Sequence, residues 1–193
     1  MQILKPNKQS INKAIEILNA GGVVIFPTDT VYGFLALAEN KKDPRRSQTG
    51  EAVGKIFKIK KRSKTKPLPI FVKDLRAAKE MVEISPVQEK VLKKYWPGKF
   101  TFILKSKEKN KTIALRIPKY KFLNDLLKKI NKPLAQTSVN VSGQPALSKI
   151  KDIIDIFGSD KRIDLIIDTG NLKKSKPSQI IDLIGVRKKI IRK

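Results

Sequence analysis

Short apolar runs alternate with amphipathic, helix-spaced segments along almost the whole chain, and this alternation restricts it to an α/β domain of two or three layers. Ser10 is placed to cap a helix whose apolar positions Ile11, Ala14, Ile15 and Leu18 recur at helical spacing, and Gly21-Gly22 end it. Val23 to Phe26 reads as a buried strand. A second helix begins near Glu51, with Val53, Ile56 and Phe57 inward. Lys58, Lys60, Lys61 and Arg62 lie toward its C-terminal end, where cations complement the helix dipole. Pro67 to Val72 reads as a strand, and Asp74 and Ser85 each cap a helix, the second with Pro86 at its first position. Phe100 to Leu104 and Ile113 to Ile117 read as paired strands around a basic loop, Lys105 to Lys111. An amphipathic helix from Phe122 to Ile130 precedes a strand opening at Leu134, and Ser148 caps a helix carrying Ile150, Ile153, Ile154 and Phe157. Strands follow near Leu165 to Ile167, Ser178 to Ile184 and Val186 to Ile191, the last two antiparallel about Gly185. Residues 40 to 50, NKKDPRRSQTG, hold proline, glycine and charge with no apolar side chain, the composition of an exposed basic loop.

A chain of 193 residues, 40% hydrophobic, can bury one full core, so residues 1–193 are expected to form a single domain. The absence of cysteine and histidine excludes disulfides, thiolate nucleophiles, zinc sites of the usual ligand types and a histidine general base. Any chemistry must rest on Lys, Arg, Asp, Glu, Ser, Thr, Asn, Tyr or a borrowed metal ion. The N-terminal MQILKPNKQS lacks an apolar signal core and no apolar run approaches membrane-spanning length, so a soluble, cytoplasmic protein without a membrane partner is expected. The net charge of +26 invites a polyanion such as RNA. Yet the lysines run from Lys5 to Lys193 without clustering, as a lysine-favouring codon bias would also produce.

Several segments carry candidate chemistry. QTSVNVSG, Gln136 to Gly143, places Thr137, Ser138, Asn140 and Ser142 just beyond an apolar strand start, where open α/β sheets bind ligands. PTDTVYGF, Pro27 to Phe34, puts three short polar side chains, Thr28, Asp29 and Thr30, after the strand at Val23 to Phe26, with Gly33 allowing a tight backbone. Neither is a P-loop or a dinucleotide fingerprint. KIKKRSKTKPL, Lys58 to Leu68, offers Lys60, Arg62 and Lys66 to a triphosphate or carboxylate, although a solvated basic helix end would look the same. Arg116 lies inside the apolar Leu115-Arg116-Ile117-Pro118 and needs an anionic partner, either an internal carboxylate or a ligand. WPGKFT, Trp96 to Thr101, reads as a turn before a strand, with Trp96 in the core.

In order, PTDTVYGF, Lys60-Lys61-Arg62 with Lys66-Pro67-Leu68, WPGKFT, LRIP, TSVNVSG, Pro177-Ser178-Gln179-Ile180-Ile181-Asp182 and the closing Ile190-Ile191-Arg192 resemble the YrdC-like family of threonylcarbamoyl-AMP synthases over nearly the whole chain. The resemblance implies an α/β fold, a twisted mixed sheet flanked by helices with a concave basic cavity. It implies a nucleotidyltransferase that joins L-threonine, bicarbonate or CO2 and ATP into threonylcarbamoyl-AMP and pyrophosphate. A downstream threonylcarbamoyl transferase would use that product to modify tRNA. It further implies Mg2+ carried by ATP with no protein metal ligand, and Lys60 and Arg62 as the catalytic cations. Thr28, Thr30, Arg116 and Ser178 match threonine-side positions, and Lys60, Arg62, Lys66, Thr112, Ser138, Asn140 and Arg192 match ATP-side ones. The sequence departs from the family pattern in three ways: Val139 is expected to crowd the pocket floor, Phe34 and Gln179 replace the usual residues, and residues 40 to 50 read as an insertion. A non-catalytic RNA-binding module on this fold is the alternative, against which Lys60, Arg62, Arg116 and Asn140 argue for small-ligand chemistry. A carbamoyl-transfer unit of the hydrogenase-maturation type would need cysteine-rich zinc segments, which are missing.

Overall fold

The computed structural model describes residues 1–38, 50–63, 65–173, 175–185 and 189–192. In chain order the elements are β1 (Gln2–Leu4), α1 (Lys8–Asn19), β2 (Val24–Phe26), β3 (Gly33–Leu37), α2 (Glu51–Lys60), β4 (Ile70–Phe71), α3 (Leu75–Met81), α4 (Pro86–Tyr95), β5 (Phe100–Lys105), β6 (Thr112–Arg116), α5 (Lys121–Ile130), β7 (Leu134–Ser138), α6 (Ile150–Phe157), β8 (Leu165–Ile167), β9 (Gln179–Asp182) and β10 (Lys189–Arg192). The strands form one ten-stranded mixed sheet in the order β1-β8-β2-β3-β7-β4-β6-β5-β9-β10. β1 and β2 flank β8 in parallel, β3 runs antiparallel to both β2 and β7, and β10 closes the far edge antiparallel to β9.

The two-residue period of the strands divides their apolar side chains between two cores. Val24, Phe26, Leu35, Phe71, Leu165 and Ile167 pack with Ile11, Ala14 and Leu18 of α1 and Leu123, Leu126 and Leu127 of α5. Their neighbours Ile25, Phe34, Ala36, Ile70 and Ile166 pack on the opposite face with Val53 and Ile56 of α2, Leu92 of α4 and Ile153 and Phe157 of α6. Strands buried on both sides read as continuous apolar runs, and the result is the three-layer form of the expected α/β fold.

Several boundaries differ from the sequence reading. Asn7, not Ser10, caps α1: Asn7 Oδ1 accepts the Ser10 N–H at 2.8 Å and Ser10 Oγ accepts the Asn7 N–H at 3.0 Å, a reciprocal capping box. α6 has no side-chain cap from Ser148. Its Ile150 N–H donates instead to Asn171 Oδ1 at 3.1 Å, a partner 21 residues away that no local pattern announces. The strand expected from Pro67 to Val72 contracts to Ile70–Phe71, since Pro67 and Pro69 have no N–H to donate to a ladder. β1 and β3 add two strands that the sequence pattern does not announce, and Gly33, expected in a turn, is a strand residue paired with Phe26 and Ser138. Residues 40–49 of the expected basic insertion lie outside the described residues.

The end of α1 fixes the start of β2. Gly21, at φ +79°, lets its N–H reach Leu18 O and the Gly22 N–H reach Ile17 O at 2.9 Å. A Cβ on Gly22 would lie 2.9 Å from Ile17 O and 2.8 Å from Asp164 Oδ2, the oxygen that accepts the Val23 N–H. Gly22→Ala is therefore expected to destabilise the protein by about 2 kcal/mol, read as a lower midpoint in chemical denaturation.

Candidate active site

A cavity of about 820 Å3 opens where α2, the turn before β3, the end of β7 and the sheet from β6 to β10 meet. Its wall carries Lys60, Lys61, Arg62, Lys66, Arg116 and Arg192, and among the described residues no aspartate or glutamate lines it. Thr30, Ser138, Asn140 and Ser178 also face this space, so the structure brings most of the expected site residues together.

The C-terminus of α2 sets the first pair of cations. Lys61 takes a left-handed conformation, φ 51°, and ends the helix, so that Lys60 turns inward and Arg62 lies across the rim. Lys60 is 2% exposed, and its ammonium donates to Ser138 O, Asn140 O at 2.9 Å and Asn140 Oδ1 at 2.7 Å. All three donors are used, and none of the acceptors is charged. Burial first, and the nearby Arg62 charge second, push the Lys60 pKa down to about 7. Arg62 is tethered the same way, to the carbonyl oxygens of Lys66 at 2.9 Å and Pro67 at 3.3 Å. Arg192 donates to Ser178 O at 3.0 and 2.6 Å. Burial lowers the guanidinium pKa values of Arg62 and Arg192, and the Arg62 charge adds to the effect at Arg192. Both stay cationic, because arginine starts so high.

Arg116 is built differently. Its Nη2 donates to Asp29 Oδ1 at 2.6 Å and its Nε to Gly98 O at 2.9 Å, with the side chains 2% and 7% exposed. Asp29 Oδ2 accepts the Lys119 N–H at 3.0 Å. Burial lowers the Arg116 pKa, and the Asp29 carboxylate opposes that shift. Of the two partners open at the sequence level, the internal carboxylate is present. Among the described residues Nη1 has no protein partner, and Arg116 is one of the residues that line the cavity.

The polar loops brace these cations. Thr28 is buried and does not reach the cavity: its Oγ1 donates to Val31 O at 2.6 Å, accepts the Thr30 and Val31 N–H groups, and lies 3.0 Å from Thr30 Oγ1. Thr28 thus shapes the turn that presents Thr30. The Asn140 amide is spent internally, donating to Val141 O and Gln144 O while Oδ1 also accepts from Ser138 Oγ at 2.7 Å. Ser178 Oγ lies 2.9 Å from Thr101 Oγ1, a fully buried partner that the sequence reading missed. Thr112 is exposed at the start of β6. It falls on the face shared by Ala114 and Arg116 but lies outside the cavity lining. Lys66 is at the exposed rim. Val139 corrects an expectation, because it is fully buried in the core beside α6 and does not line the cavity. Its backbone is pinned to Tyr32 O and Leu147 N. Trp96 packs edge-on against Phe102 in the core, as expected, and its Nε1–H donates to Phe100 O.

No helix among the described residues is long and apolar enough to cross a membrane. The Sua5–YciO–YrdC family model, described as telomere recombination, matches residues 16–193. A threonylcarbamoyl-AMP synthase of Coxiella burnetii is 30% identical over 187 residues, covering 91% of this chain and 94% of that protein. The crystal structure of Pyrococcus abyssi Sua5 complexed with L-threonine superposes with a TM-score of 0.86 at 27% identity, covering all of this chain and 57% of that one. Escherichia coli YciO gives a TM-score of 0.84 at 28% identity, covering all of this chain and 94% of that one. The chain belongs to the Sua5–YciO–YrdC family.

Proposed function

We propose that this protein is an L-threonylcarbamoyladenylate synthase. One observation carries the reading: Lys60, Arg62 and Arg192 are held in place by uncharged oxygens in a cavity whose described wall has no carboxylate. At Arg62 and Arg192 the positive charge is oriented but not neutralised, and a bound polyanion draws the Lys60 amine, whose pKa burial lowers to about 7, into its ammonium form. The names of the relatives, and the threonine bound to the Pyrococcus relative, support ATP and L-threonine as ligands.

The threonine amine attacks CO2, forming an N–C bond and releasing a proton. An oxygen of the resulting carbamate then attacks the α-phosphorus of ATP, forming a P–O bond as pyrophosphate leaves. No step needs an enzyme nucleophile, which suits a chain without cysteine or histidine. Arg62 and Arg192 take the triphosphate and the charge that grows on the leaving pyrophosphate, and Lys60, whose three donors hold Ser138 and Asn140, adds its charge from beneath. Arg116 Nη1 donates to the threonine carboxylate, with Thr30 and Ser178 beside it. The described wall offers no carboxylate to a divalent cation, so Mg2+ would be held by the oxygens of the triphosphate and would supply charge neutralisation there. In this reading the product passes to a separate transferase acting on tRNA in the cytoplasm, and the net charge of +26 supports contact with RNA.

Titration calorimetry tests the site directly. ATP and L-threonine are expected to bind together, one of each, with neither displacing the other. Mutual displacement would contradict the division of the cavity into two subsites.

A further inference from the structure

We propose that Asp29 is a specificity-determining residue that keeps phosphate out of the position where Arg116 receives the amino-acid carboxylate. The inference rests on the synthase reading for the identity of that carboxylate. Its physical basis is the difference between Arg116 and the other cations of the cavity wall. Lys60, Arg62 and Arg192 are tethered by neutral oxygens, whereas Arg116 is paired at 2.6 Å with a carboxylate. Asp29 does not line the cavity. It stands behind Arg116, fixed from its other oxygen by the Lys119 N–H.

Two consequences follow. The pair cancels the Arg116 charge, and with Gly98 O it takes the Nε–H and one Nη2–H, so that Nη1 is the nitrogen with no protein partner among the described residues. A carboxylate is a monoanion and is served by Nη1 and the neighbouring hydroxyls. Phosphate and pyrophosphate carry more charge on tetrahedral groups, and at this position they would meet a net-neutral pair whose acid lies nearby. In a cavity otherwise rich in positive charge, an uncompensated Arg116 would attract phosphate groups as strongly as its neighbours do. The leaving pyrophosphate would then compete with threonine. Asp29 removes that competition by opposing the wrong ligand.

Equilibrium dialysis of L-threonine against inorganic phosphate, with wild type and Asp29→Asn, tests this. In wild type, millimolar phosphate is expected to leave threonine retention unchanged. In Asp29→Asn, phosphate is expected to become competitive with threonine and to bind there at least ~10-fold more tightly. Asp29→Glu, which restores the negative charge, should restore exclusion. A merely structural role for Asp29 would weaken threonine binding in Asp29→Asn without making phosphate a competitor, and that result would overturn the proposal. Competition by phosphate in wild type would overturn it without any variant. Failure of wild type to retain threonine would sink the synthase reading instead. The Asp29 proposal would then be decided by phosphate alone, which must gain a binding site in Asp29→Asn.

Discussion

Arg116→Ala is expected to abolish threonine-dependent pyrophosphate release and to destabilise the fold by about 3 kcal/mol. The two effects have different origins. Loss of Nη1 removes the donor to the amino-acid carboxylate. Loss of the guanidinium leaves Asp29, a side chain 7% exposed, without its charge partner and leaves Gly98 O without its donor. A buried charge stripped of its partner costs more than the pair itself contributes. The double variant Arg116→Ala/Asp29→Asn, which removes the stranded charge, should therefore recover part of the lost stability and none of the activity. Denaturation midpoints and pyrophosphate release on the same three proteins check this. Near-normal turnover in Arg116→Ala would remove the carboxylate role, and a double variant no more stable than the single one would show that Asp29 was never stranded.

Lys60→Met is expected to lower kcat by roughly 100-fold, because it removes a buried cation beside the cavity and strips Ser138 O, Asn140 O and Asn140 Oδ1 of the donor that fixes them. It should also change two pH-dependent properties. The Lys60 pKa lies at about 7 in the folded protein against an ordinary 10.5. Between these values the unfolded chain binds the proton that the folded one releases, so this residue makes stability rise with pH across that window. The rise should be missing from Lys60→Met. In the other direction, a bound triphosphate favours the ammonium. ATP binding at pH 8 should take up close to one proton in wild type and none through this site in Lys60→Met, read by calorimetry in buffers of different ionisation heat. Equal proton uptake in the two proteins would place the titrating group elsewhere.

The sequence made the layered fold legible because β2, β4 and β8 are short apolar runs and α1 and α5 are strongly amphipathic, patterns set by burial on known faces. Some of its errors were local, as in the Asn7–Ser10 capping box and the prolines that shorten β4, and others fell where distant partners decide the outcome. α6 is capped by Asn171, and β3 forms only because β2 and β7 lie on either side to pair with PTDTVYGF. The site residues were legible as a set through motif resemblance, which composition alone would have dismissed as a lysine-rich surface. Their division of labour was not. That Thr28 shapes a turn and Asn140 spends its amide on the loop depends on the exact turn geometry, which sets hydrogen bonds to Val31 O and Gln144 O. The burial of Val139, just past β7, depends on which way the chain turns there, toward the apolar core. The Asp29–Arg116 pair spans 87 residues and had only one trace in the sequence, an arginine inside an apolar strand in need of an anion.

In the proposed reaction a cavity of oriented cations, in which Arg62 and Arg192 meet no carboxylate, positions carbamylated threonine for attack on ATP. The most direct measurement is pyrophosphate release by the whole protein with MgATP and bicarbonate, comparing L-threonine, L-serine and no amino acid, with the nucleotide product identified by mass. The account predicts release that depends on both threonine and bicarbonate, accompanied by threonylcarbamoyl-AMP. Pyrophosphate release indifferent to threonine, or threonine turnover without a carbamoyl adenylate, would contradict it.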